Sequence, residues 1–136
     1  MPWDKDTAVV GVAPVSIKAG ANPNARRILA GVTTTTAAPA SDTDGYYAGS
    51  FKYLHIDIKL VGGTNASFKL WRWSAVSGLW KLDTRLGVNG TLTISTSDTA
   101  NNPFGGIVES AFTDRVYLQV TAVSGPPTIS AWIGGA

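Results

Sequence analysis

The sequence predicts an all-β fold, an antiparallel β-sandwich of jelly-roll type with an extended amino-terminal arm, on three observations. Apolar and polar residues alternate with a period of two in several runs, led by Leu54, Ile56, Ile58 and Leu60, the pattern of half-buried strands. Thr, Ser, Ala, Val and Gly dominate while Glu109 is the sole Glu, so the helix formers Glu, Gln and Met are scarce. Turn residues punctuate the chain at short intervals with no helical periodicity between them, and roughly eight to ten strands are expected at that spacing.

At 136 residues the chain suits one folded unit that buries roughly two thirds of its unfolded surface. Eleven Lys and Arg against nine Asp and Glu give a net charge of +2. The basic residues are scattered apart from Arg26-Arg27, whereas a nucleic-acid partner would call for a clustered basic stripe. The lack of cysteine removes disulfides, thiolate metal sites and cysteine nucleophiles together. Met1 to Asp6 has neither a basic n-region nor an apolar h-region, so no signal peptide is expected. No apolar run reaches the roughly 18 residues of a membrane span. The expectation is a protein made in a cytoplasm, with neither nucleic acid nor membrane as partner.

In chain order, Thr7 to Ile17 is β-prone but broken by Gly11 and Pro14, as in an edge strand or an arm on a neighbouring surface. Arg26 to Thr36 is the next strand expected, its threonine run favouring extended backbone. Ala37 to Gly45 is a loop, so residues 1–45 are read as arm, edge strands and loop, and 46–136 as the sandwich proper. Phe51 to Trp73 is read as a central hairpin. A three-residue loop over Gly62, Gly63 and Thr64 would pair Ile58 with Phe68 and Ile56 with Leu70, setting like faces opposite each other. Tyr53, His55, Trp71 and Trp73 would then share the other face, a patch that must be covered or used. Leu79 to Leu82 is a short strand, and Asn89-Gly90 marks a type I′ turn ahead of Leu92 and Ile94. Val116, Leu118, Val120 and Ala122, then Ile129, Ala131 and Ile133, form a final strand pair joined by Ser124-Gly125-Pro126-Pro127.

No catalytic motif is present. His55 is the sole histidine, so a three-histidine metal site within one chain is impossible. Asp57 shares its face, but no nucleophile elbow accompanies the pair, and His55 reads as a solvated or interface residue. Asp42-Thr-Asp44-Gly45 opens like a calcium loop, yet its twelfth position is Tyr53 where Glu belongs, which leaves a plain Asx turn. Glu109 and Asp114 are a carboxylate pair that nothing singles out for glycoside hydrolysis. Gly62-Gly63 and Gly105-Gly106 lack the following helix of a phosphate loop. The large aromatics fit cores and subunit contacts better than a sugar platform. Trp3, ahead of any expected strand, reads as an anchor docking into a neighbour. The expected partner or oligomer interface is therefore Trp3, Tyr53, His55, Trp71 and Trp73, with no catalytic, cofactor or metal residues.

The arm-like first third, Phe51-x-x-Leu54-x-Ile56-x-Ile58, Leu70-Trp71-Arg72-Trp73 with Ser77-Gly78-x-Trp80, and Asp114 to Thr121 together resemble small virion structural proteins of tailed bacteriophages, over about residues 46 to 136. The resemblance implies a non-enzymatic capsid decoration, or cement, protein without a cofactor. Such a protein binds a major capsid or other virion protein on the outside of the particle, commonly as a homotrimer. A carbohydrate- or receptor-binding sandwich of a fibre or tail is the alternative.

Overall fold

The computed structural model describes residues 25–48, 53–109 and 115–135, so the expected amino-terminal arm and Trp3 lie outside the described residues. Nine strands follow in order: β1 (Arg26–Val32), β2 (Tyr46–Tyr47), β3 (Tyr53–Val61), β4 (Asn65–Ser74), β5 (Leu79–Leu82), β6 (Leu92–Ser95), β7 (Phe104–Glu109), β8 (Arg115–Ser124) and β9 (Thr128–Gly135). The helical content described is one 3-10 turn, Asp42–Asp44.

All strand pairs are antiparallel. A four-stranded sheet has the order β1-β9-β3-β7, and a five-stranded sheet the order β2-β8-β4-β5 with β6 also on β4. β5 takes the Trp71 to Ser74 half of β4 and β6 the Asn65 to Phe68 half, so together they form one interrupted partner. The pairs therefore nest: β4 with β5 and β6, β3 with β7, β2 with β8, β1 with β9. Within the sheets, β3 also pairs with β9 and β4 with β8.

The alternation read from the sequence sets which side of each strand is buried. In β3, Leu54, Ile56, Ile58 and Leu60 point inward and Tyr53, His55, Asp57, Lys59 and Val61 outward. Ala66, Phe68 and Leu70 of β4, Val116, Leu118 and Val120 of β8, and Ile129, Ala131 and Ile133 of β9 join the same core. Leu29 of β1 and Ala48 belong to it too, so residues 26–45, read as part of the amino-terminal portion, supply a strand to this same sandwich-like arrangement. β1 is an edge strand whose register shifts between Arg27 and Leu29 and again at Gly31, between Ala30 and Val32, and such bulges blunt an edge against pairing with other chains.

Two expected pairings are corrected. β3 and β4 are not a hairpin, because β3 pairs with β7 and β9 whereas β4 pairs with β5, β6 and β8. The closing pair β8 and β9 likewise splits between the sheets. Parity is satisfied either way: Ile58 and Phe68 side by side on one sheet, or facing each other from two sheets, are both buried. The corner is selected by what the two loops do to each other. The Thr64 amide donates to Ser124 O at 2.9 Å. Gly62 and Gly63 have φ of 71° and 65°, and a Cβ on Gly63 would collide with the backbone of Pro126 and Pro127. Only glycine permits that approach.

Asn89 and Gly90 have φ of 52° and 85°, and Val88 and Thr91 exchange backbone bonds of 2.9 and 3.0 Å. This is the type I′ turn expected from the Asn-Gly dipeptide.

Candidate functional site

Because β3 and β4 lie in different sheets, the expected patch of Tyr53, His55, Trp71 and Trp73 does not assemble. Tyr53 and His55 stand on the outer face of the four-stranded sheet, and Trp71 and Trp73 on that of the five-stranded sheet. The two halves have different surroundings.

Trp73 is part of an aromatic cluster that the chain itself fastens, and Trp71 stands opposite the cluster's Tyr117 in register. Trp73 meets Trp80 edge to face at 5.4 Å, Trp80 meets Tyr117 at 6.3 Å, and Tyr117 stacks on Tyr46 at 5.8 Å. The segment between β1 and β2 lies over them. Tyr117 Oη donates to Ala37 O at 3.0 Å and Trp80 Nε1 to Ser41 O at 2.9 Å. A Cβ on Gly45 would collide with the Trp80 indole. Trp71 Nε1 donates to Gln119 Oε1 at 2.9 Å. Thr36 continues the edge of β8, its amide donating to Val120 O and its hydroxyl accepting from Val120 N, both at 2.9 Å. The would-be calcium loop closes this segment as a capped turn: Asp44 Oδ2 accepts from the Ala40 and Ser41 amides at 2.7 and 2.8 Å. Those two amides hold the Asp44 carboxyl below its usual range. Burial, reinforced by Tyr117, pushes the Tyr46 phenol up.

The outer face of the four-stranded sheet is more open. Register sets Gly105, Asp57, Trp132 and Arg27 in one row across β7, β3, β9 and β1. His55 Nε2 lies 2.9 Å from Asp57 Oδ1, with side chains 53% and 57% exposed. The pair leans over Gly105, where an added Cβ would sit 2.8 Å from Asp57 Oδ1 and 3.1 Å from His55 Nε2. The Arg27 guanidinium lies over the Trp132 ring at 5.5 Å and donates to Ser130 Oγ at 3.0 Å. A pocket of about 240 Å³ opens here, lined by Asp57, Ile58, Lys59, Pro103, Phe104, Gly105 and Trp132. Beside it the Asn102 side chain imitates a strand partner, accepting from Leu60 N at 3.0 Å and donating to Leu60 O at 3.1 Å.

Asp83 is the buried charged residue of the described core, 1% exposed. Arg85 grips it with the backbone amide, Nε and Nη2, each at 3.0 Å, and Arg72 Nε lies 3.6 Å away. Burial pushes its pKa up, but the Arg85 hydrogen bonds and the charges of Arg85 and Arg72 outweigh it and leave the carboxyl below its usual value. This cluster anchors the excursion between β5 and β6.

Sequence reasoning found His55 and Asp57 but missed Trp132, Arg27 and Gly105 as their neighbours. Trp132 lies between inward-facing Ala131 and Ile133, so its outward direction was legible. Its company depends on β9 pairing with β3, which the assumed hairpin obscured. Among the described residues no three His, Cys, Asp or Glu side chains gather where a metal could bind, and no described helix is long and apolar enough to cross a membrane. No protein-family profile, curated protein or solved structure matches the chain.

Proposed function

We propose that the chain is a non-enzymatic virion structural protein, a capsid decoration protein built as a jelly roll that binds the outer capsid surface and stabilises the particle. The observation that supports it is the strand pairing. β1 with β9, β2 with β8, β3 with β7 and β4 with its split partner is the nested order of a jelly roll, an architecture used by viral capsid and lectin domains. A fold does not by itself dictate function. The virion assignment rests on the sequence resemblance.

The polar side chains agree with a structural role. Asp44 and Asp98 cap turns, Asp83 locks a loop through Arg85, and Asn102 and Thr36 complete strand edges. In this reading the protein is a homotrimer that bridges neighbouring capsid subunits, residues 1–25 reach a neighbour by strand addition, and many weak contacts sum through symmetry. Light scattering on the purified full chain tests it: a mass near three times 14.2 kDa supports the trimer and a monomer contradicts it. Deleting residues 1–25 is expected to abolish particle binding while the circular dichroism of the sandwich is retained; unchanged binding would refute the arm.

A fibre or tail domain that binds carbohydrate is the second reading, favoured by the Trp132 pocket.

A further inference from the structure

We propose that the trough beside Trp132, on the outer face of the four-stranded sheet, is a subsite for one neutral pyranose ring of a longer glycan. It deepens the carbohydrate-binding reading and stands whether the protein decorates a capsid or belongs to a fibre. Four features argue for it.

The wall is a fixed aromatic ring. Arg27 sits against Trp132 from β1 and is itself tied to Ser130, while the trough lies on the β3 side, where Asp57 and Lys59 are. The indole is therefore held in place before any ligand arrives, which lowers the ordering cost of binding. Gly105, having no side chain, lets the His55–Asp57 pair lean across β7 at the edge of the trough. A Cβ there would crowd both Asp57 and His55.

The polar groups select the ligand. The Asp57 carboxylate, oriented by His55 at 2.9 Å, accepts hydrogen bonds, and Lys59, next outward on β3, donates them. Adjacent hydroxyls of a sugar supply both complements. A phosphate or carboxylate ligand would meet Asp57 at the trough, and a cationic ligand would meet Lys59 with Arg27 close by. An uncharged polyol with one apolar face satisfies the acid, the base and the Trp132 and Pro103 surfaces together. Size gives the fourth argument. At about 240 Å³ the trough is smaller than the roughly 300–1,000 Å³ of ordinary ligand pockets, so it takes a single ring and gains strength only through repetition.

The experiment is a titration of the full-length protein, followed by amide and indole NMR, with the methyl glycosides of glucose, galactose, mannose and N-acetylglucosamine. At least one is expected to move the Trp132 indole N–H and the Gly105 amide together. Asp57→Asn, which keeps shape on an exposed side chain, and Lys59→Ala are each expected to weaken that response about tenfold with the spectrum otherwise native. Trp132→Ala is expected to abolish the shift of the Gly105 amide. If none of the four glycosides moves these signals, or if the response maps to Trp71 and Trp73, or survives both Asp57→Asn and Lys59→Ala unchanged, the proposal is overturned. Tighter binding of glucose 6-phosphate than of methyl glucoside would also overturn the neutral-ring assignment.

Discussion

At the residue scale, Asp83 shows how one buried charge can hold a loop. It is nearly inaccessible, with Arg85 on both oxygens and Arg72 nearby. Asp83→Ala removes the acceptor that these guanidinium groups share. Arg85 is more than half exposed, so water compensates part of the loss, and a destabilisation of about 2 kcal/mol in urea unfolding is expected. The folded carboxyl titrates below its unfolded value, so the unfolded chain takes up protons first on acidification. Its contribution is intact above the ordinary aspartate pKa and is lost as pH falls through the depressed folded value. Asp44 and Asp98 shift the same way. Stability should therefore drop on acidification below about pH 4, and the drop should be smaller in Asp83→Ala; an identical acid limb in the variant would contradict this account. None of this was legible in the sequence, where Asp83 simply follows the short strand Leu79 to Leu82.

At the element scale, the strands were legible and their partners were not. Alternation in β3, β4, β8 and β9 marks an inward row on each, but a row of apolar residues does not specify which sheet it belongs to. Gly62-Gly63-Thr64 looks like a hairpin loop and acts as a corner. The two glycines separate these cases. Both have positive φ, so alanine costs about 1 kcal/mol at either from backbone strain alone. Gly62 has open space around it, whereas Gly63 abuts Pro126 and Pro127. Gly63→Ala is expected to cost at least about 2 kcal/mol more than Gly62→Ala by denaturant unfolding; equal costs would restore the hairpin. Asn102 supplies another such test. Its side chain pairs with both Leu60 backbone groups, so Asn102→Ala should lower stability by about 2 kcal/mol. Hydrogen exchange at the Leu60 amide should accelerate beyond the global change.

For the whole molecule, the all-β composition and the Asn89-Gly90 turn were legible, and so was the core made by Leu54 to Leu60 with its counterparts. The residues expected to form one interface do not share a face. Trp71 and Trp73 are engaged within their own chain, with Gln119 and Trp80, while His55 faces the opposite direction beside Asp57. Covalent neighbours are visible in a sequence; residues brought together by β9 inserting between β1 and β3 are not. We propose that this sandwich-like fold works by attachment to a virus particle. Cosedimentation of the purified chain with capsids of the phage that encodes it, stripped of accessory proteins, tests that claim most directly. Saturable binding at a copy number set by capsid symmetry, with a raised disruption temperature, is the result expected; capsids that sediment without the protein and melt unchanged would contradict it.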